Sequence, residues 1–359
     1  MTRDKALLER LGSLQRELVL QSADLSLSVL SEMVTSGAID VAPQFQRRDR
    51  WNVDRQSALI ESFVLNLPVP PIYLAEDSLG TFSVIDGRQR ITAIHSYLNN
   101  GFALKNLPRF PELEGMRCED LPRQIRNSLA IRPLRSVTLL RQSHEDLKYE
   151  VFHRLNTYGE VLNAQEIRNV IYRGPLNDLV YVLAGESFLR QQLKIRKPSD
   201  SAFANMQDAE WVLRFLTLRS VWSDFSGDLS KSMDGYMSEN RELSEPDLEQ
   251  LRSRFLRALQ ACSGIWGPNA FKRPDGDSWR DQALAGMYDA QMVAVDMLGD
   301  MDLSVAVERH CECVAAMREM FNDRDFDSAV RTGTNTPNRV KYRIGQLYRV
   351  LEGIAGSAG

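Results

Sequence analysis

The run Ser83-Val-Ile-Asp-Gly-Arg-Gln-Arg-Ile-Thr-Ala-Ile94 places two arginines, Arg88 and Arg90, directly after an Asp86-Gly87 step and at the start of a helical pattern. A cation there sits at the partly positive end of the helix dipole and costs roughly 0.3–1 kcal/mol where an anion would gain it. Two readings fit. In one, Asp86 caps the helix, Gln89 reaches back to it, and both arginines are solvated. In the other the turn is an anion site: Gly87 lets a ligand approach the backbone, N–H groups point outward, and two guanidinium forks grip phosphate oxygens. Asp86 would then bind a bridging cation, pair with an arginine or accept from a ribose hydroxyl, three roles the sequence leaves open. No G-x-x-x-x-G-K occurs in the chain, so this is not a Walker loop.

Two further segments mix the same chemistries. "PQFQRRDRW", Pro43 to Trp51, holds Gln46, Arg47 and two more arginines before a tryptophan. It reads either as a solvated turn with Trp51 anchored in the core, or as arginines on phosphates with Trp51 or Phe45 offering a stacking face. "VFHRLNTYGEVLNAQEIRN", residues 151–169, predicts two helices meeting at Asn156-Thr157-Tyr158-Gly159, with Asn163 capping the second. Arg154, Asn156 and Thr157 bring more hydrogen-bonding capacity than a corner needs, which favours a binding role; Glu166, Arg168 and Asn169 follow on the next helix.

The elements that must position these residues fall into two styles. Residues 3–20 and 24–36 have helical periodicity, the second run ending at Gly37. "IDVAP" predicts a short strand, Asn52 a cap for a helix over "VDRQSALIESFVLNL", "PVPPIYLAED" and "TFSVID" a hairpin-like strand pair, and residues 88–100 a helix stopped by Asn-Asn-Gly. "IRPLRSVTLL" is a further strand. From Ser143, itself paired with Asp146 as a cap, the pattern is helical, with runs over about 204–221, 246–262, 279–298, 303–321 and 337–354. The expected division is N-terminal helices over 1–37, a mixed lobe over 38–170 and a helical lobe over 171–359.

The chain has 359 residues, 43% hydrophobic, with 44 Lys and Arg against 48 Asp and Glu. The formal net charge of -4 offers no overall basic field, so any nucleic-acid contact must come from local patches. Four scattered cysteines make no disulfide framework, and the charged N-terminus lacks a signal peptide's apolar centre, so the expected location is the cytoplasm, with no membrane partner. Arg339 and Arg343, one turn apart, read as a solvated face or as a phosphate contact to DNA.

Taken together and in order, the three segments resemble the family named for the N-terminal domain of the GmrSD restriction endonuclease, also called domain of unknown function 262, in the ParB/sulfiredoxin-like superfamily. The family's Gln-Arg-x-x-x-Trp corresponds to Gln46, Arg47 and Trp51. Its Asp-Gly-Gln-Gln-Arg (DGQQR) corresponds to Asp86, Gly87, Arg88, Gln89 and Arg90, with arginine here at the first Gln. Its Arg-x-Asn-Thr-x-Gly with downstream Leu, Glu, Arg and Asn corresponds to Arg154, Asn156, Thr157, Gly159, Leu162, Glu166, Arg168 and Asn169.

The resemblance implies an α+β fold, a small ParB/sulfiredoxin-like lobe followed by a mainly helical lobe. It implies binding, and in several members hydrolysis, of a nucleoside triphosphate with Mg2+ in antiviral defence. Arg47, Arg88 and Arg90 would surround the phosphates. Gln46, Trp51, Gly87, Gln89, Arg154, Asn156, Thr157, Arg168 and Asn169 complete the binding set, with Asp86, Arg90 and Glu166 as candidate catalytic residues and Asp86 as candidate metal ligand. Two alternatives stand beside this: a metal-dependent DNA nuclease, for which Asp86, Glu166 and Asp49 are the carboxylates at hand, and a non-enzymatic DNA-binding or assembly module with a structural nucleotide. Candidate partners are DNA, a partner nuclease or other defence protein, and a second copy of the chain. Many relatives fuse this lobe to an HNH nuclease, whose metal site needs clustered histidines. Here the histidines are His95, His144, His153 and His310, and Cys311 and Cys313 are two apart on a helix, so neither a zinc site nor an HNH domain is expected.

Overall fold

The computed structural model describes residues 19–41, 51–143, 163–198 and 200–356, with Leu7, Arg10, Leu11, Val151 and Arg154 besides. The chain divides into two units, Met1–Asn163 and Ala164–Gly359. Among the described residues no helix is long and apolar enough to cross a membrane. The fold is α+β: a mixed sheet in the first unit and a mostly helical second unit.

The first unit is built on a five-stranded sheet in the order β1-β5-β3-β4-β2. Its strands are β1 (Leu20–Ser26), β2 (Ile39–Asp40), β3 (Ile72–Ser78), β4 (Thr81–Asp86) and β5 (Pro133–Leu139). β3 and β4 form an antiparallel hairpin turned at Leu79-Gly80, where Gly80 has φ +82°, the left-handed backbone that glycine adopts without a Cβ penalty. β5 lies parallel to β3, β1 antiparallel to β5, and β2 parallel to β4. Among the described residues, helices α1 (Leu27–Thr35), α2 (Val53–Val64), α3 (Arg88–Leu98) and α4 (Arg123–Ala130) accompany the sheet. Leu27, Leu30, Ile60, Phe63, Ile91, Ile94, Tyr97 and Leu129 bury their apolar faces with Ile72, Leu74 and Val84 in one core. Asn52 caps α2, its Oδ1 accepting from the Arg55 N–H at 3.0 Å. On the same helix Ser57 and Glu61, one turn apart and both buried, hold irregular chain: Ser57 Oγ accepts from Lys105 N–H, and Glu61 Oε1 from Arg109 and Phe110 N–H.

Leu20 and residues 24–26, at the ends of the two runs with helical periodicity, belong instead to β1; the helix begins only at Leu27, behind the Ser26 cap. Ser143 closes the β1/β5 end: its Oγ accepts from Val19 N–H at 3.0 Å and donates to Val19 O at 3.1 Å. Asp146, its expected cap partner, lies outside the described residues.

The second unit runs α5 (Ala164–Ile171), α6 (Pro175–Leu183), α7 (Ser187–Gln192), α8 (Ser201–Ala204), α9 (Gln207–Val221), α10 (Leu229–Glu239), α11 (Glu245–Trp266), α12 (Ala285–Met297), α13 (Asp300–Glu308), α14 (His310–Met320), α15 (Arg324–Arg331) and α16 (Pro337–Gly356). A two-stranded ribbon, Pro274–Asp275 with Ser278–Trp279, precedes α12. Residues 286–295 of α12 are all buried, the pattern of a helix surrounded by others. At its centre Asp289 receives Arg214 Nε at 2.5 Å and Arg343 Nη2 at 2.5 Å, and its side chain is wholly buried. Arg343, expected on a solvated or DNA-facing surface, is therefore an interior residue that also donates to Ala329 O and Thr334 O. Arg339 donates to Thr332 O. The 303–321 run is two helices, parted at Arg309, which ends one and opens the next.

Candidate functional site

The Asp86-Gly87-Arg88-Gln89-Arg90 turn joins β4 to α3. Gly87 is the N-cap of α3, at φ +93°, and offers no side chain to cap it. The capping reading is thereby corrected: the cap position falls one residue after Asp86, whose carboxylate takes Arg90 instead, Nη2 to Oδ2 at 2.7 Å. Of the three roles open to Asp86, pairing with an arginine is the one the geometry shows. A Cβ at Gly87 would lie 2.5 Å from Ile72 Cγ2, so close helix-to-strand packing requires the glycine.

Each side chain of the turn ties it to a different neighbour. Arg90, only 14% exposed in its side chain, also donates Nη2 to Pro71 O at 3.1 Å, fastening α3 to the entry of β3. Its Nε is buried without an acceptor among the described residues. Arg88 Nε donates to Val41 O at 2.8 Å, and Gln89 Oε1 accepts from Trp51 N–H at 3.2 Å. Val41 and Trp51 are the two flanks of residues 42–50, the stretch that carries Gln46, Arg47 and Asp49. Successive residues of one turn therefore hold both flanks of another sequence-predicted segment. Gln46, Arg47 and Asp49 themselves lie outside the described residues.

Trp51 packs against the first unit's core, with the Arg55 guanidinium 4.6 Å from its ring centroid, and its carbonyl accepts from Gln56 Nε2. This is the core-anchor arrangement, with one ring face taken by Arg55. Arg154 is exposed. Asn156, Thr157, Gly159 and Leu162 lie outside the described residues.

Glu166, Arg168 and Asn169 sit on α5 in the second unit, all buried. Arg168, expected in the nucleotide-binding set, makes its contacts within the second unit. Its Nε donates to Asp234 Oδ1 at 2.7 Å and its Nη2 to Ser230 Oγ at 2.7 Å, with 1% of the side chain exposed. Burial pushes the Asp234 carboxyl above the usual carboxylate range, against the pull of Arg168. Asn169 Oδ1 accepts from Asn177 Nδ2 at 2.8 Å, while Asn169 Nδ2 and Gln165 Nε2 are buried with no acceptor among the described residues.

Gln165, Asn177 and Asp234 are the partners that sequence reasoning passed over. One signal existed: α5 interleaves four polar residues, Gln165, Glu166, Arg168 and Asn169, with four apolar ones, so burying the helix buries polar groups as well. Among the described residues no group of three or more His, Cys, Asp and Glu side chains could hold a metal ion. Cys311 is exposed and Cys313 buried, so the two thiols face different ways. A magnesium ion does not need such a group. It keeps several waters and takes phosphate oxygens with one or two carboxylates, and Asp86, 45% exposed and with one oxygen on Arg90, is a carboxylate of that kind.

The family model described as the GmrSD restriction endonuclease, N-terminal domain, matches residues 30–173, the stretch that carries all three motif segments. It runs through the division at Asn163 and takes in α5. That domain implies a restriction-like defence protein. No curated protein and no solved structure matches the chain.

Proposed function

We propose that this chain binds a nucleoside triphosphate with Mg2+ at the Asp86–Arg90 turn and hydrolyses it while sensing or acting on foreign DNA. The observation that carries the reading is the clasp: Arg88 on Val41 and Gln89 on Trp51 hold both flanks of the Gln46-Arg47 segment beside the start of α3. Two features of the same turn support it. The N-terminus of α3, an eleven-residue helix, has a glycine cap and hence no cap side chain in the way of an anion. Arg90 is pre-positioned by Asp86 and Pro71, which lowers the entropy lost when a ligand is gripped.

In this reading Arg47, Arg88 and Arg90 supply the positive charge around the phosphates, Asp86 offers its exposed carboxylate to the metal, and Trp51 fixes the end of the arginine segment. Binding a triphosphate brings further negative charge to a helix N-terminus that carries two first-turn cations. Isothermal titration of the full chain with ATP, GTP, CTP and UTP in turn, in magnesium buffer, should give saturable heat for at least one of them, weakened about tenfold or more in Arg47→Ala. Phosphate release measured on the same samples separates hydrolysis from binding alone. No heat with any of the four contradicts the proposal.

A further inference from the structure

The second unit contains a cleft of about 550 Å3 beside α7, between residues 185–196 and 268–281. Four cationic side chains line it, Arg190, Lys194, Arg196 and Lys272, against the single carboxylate of Asp281. Lys194 Nζ and Lys272 Nζ both reach Asp281, at 2.8 and 2.9 Å, so one anion is shared by two cations. The two ammonium groups hold the Asp281 carboxyl down at about 2, Lys194 first. Two other carboxylates stand near without lining the cleft: Asp208, 3.9 Å from Arg190 Nε, and Asp200, which accepts the backbone N–H groups of Arg196 and Lys197. The cleft wall itself stays positive.

One further feature marks it as more than a solvated surface. Lys194 is at φ +57°, directly after the end of α7, where glycine or asparagine is the economical choice. A lysine there keeps its charge in the cleft at a conformational cost.

We propose that this cleft is a second anion site, separate from the Asp86–Arg90 turn, that takes a phosphate group through Lys194, Arg196 and Lys272. Asp281 occupies the place of the ligand and competes with it. The phosphate comes either from a DNA backbone or from a free polyphosphate, and the two sources are told apart by probe.

The full chain is titrated with a short fluorescein-labelled DNA duplex, by anisotropy, and with inorganic tripolyphosphate, by calorimetry. The variants are Lys194→Gln with Arg196→Gln, both exposed positions, and Asp281→Asn, each checked for native circular dichroism. For the probe that binds, the double variant should lose about tenfold in affinity. Asp281→Asn should gain about threefold, because the competing charge is gone. With DNA, the slope of log affinity against log salt should fall by about one for each phosphate contact removed. A cluster serving only to hold the fold would give no gain in Asp281→Asn. Binding of neither probe, or affinities in all variants equal to the parent chain, overturns the site. Nucleoside triphosphate binding at the Asp86–Arg90 turn should persist in these variants, so the two proposals fail separately.

Discussion

Gly87 is held by two independent requirements, a positive φ of +93° and an Ile72 methyl carbon 2.5 Å from where a Cβ would sit. Gly87→Ala should therefore cost about 1–3 kcal/mol for the backbone alone, with overpacking in addition, read as a lower urea midpoint at unchanged slope. Ile72→Val in the same chain should recover none of the loss, because it removes only Cδ1 and leaves the Cγ2 carbon and the backbone strain in place. Arg168 gives a pH-dependent prediction. Burial raises the Asp234 carboxyl, so what that group contributes to stability is fully present below its unfolded pKa and is lost as pH rises through its folded value. Arg168→Met removes the partner, raises the folded value further and strands a buried charge. The loss should be about 3–5 kcal/mol at neutral pH and clearly smaller near pH 3, below the unfolded Asp pKa of about 3.9, where Asp234 is largely protonated in both states. Equal losses at both pH values would contradict the pairing. At this scale the sequence showed which residue types carry chemistry and not how they pair. Asp86 and Arg90 are four apart and their pairing was one of three legible options, whereas Arg168 with Asp234 spans 66 residues and left no local trace.

The elements were legible where their pattern is local. The Asn52-capped helix, the β3/β4 hairpin and the helix from Arg88 to the Asn-Asn-Gly stop each carry their own signal in caps, turns and periodicity. β1 does not. It is exposed along most of its length, has only β5 as a neighbour in the sheet, and takes its register from residues 133–139, far along the chain, so the spacing of Leu20 and Leu25 reads equally well as helix. The helical runs lost detail for the opposite reason: α12 is buried on all sides, which erases the amphipathic stripe that would mark its start. Its centre tests the packing of the second unit. Asp289 is the shared anion of Arg214 and Arg343, so Asp289→Asn leaves two buried guanidinium groups facing a neutral amide. The expected loss is about 3–5 kcal/mol by thermal or urea unfolding, and a change under 1 kcal/mol would show that the triad is not what ties α9, α12 and α16 together.

On the scale of the whole molecule, the net charge of -4 hides local concentrations of cations, one in the arginine-bearing segments of the first unit and one in the cleft beside α7 of the second. The division after Asn163 falls within the family-matched stretch, so the motif residues are shared between two units, Asp86 to Arg90 in one and Glu166 to Asn169 in the other. The boundary read from composition lay a few residues further on because α5 continues the helical texture that begins before it. In the proposed nucleotide site the Gln46-Arg47 segment and the Asp86–Arg90 turn act as one, with Arg88 and Gln89 as the clasp. The most direct test is a double-mutant cycle on the dissociation constant of the bound nucleoside triphosphate, using Arg47→Ala, Arg88→Ala and the pair. A single site predicts non-additive losses, with a coupling of about 1 kcal/mol or more; additivity within about 0.5 kcal/mol would mean that the two arginines act at independent places and would contradict it.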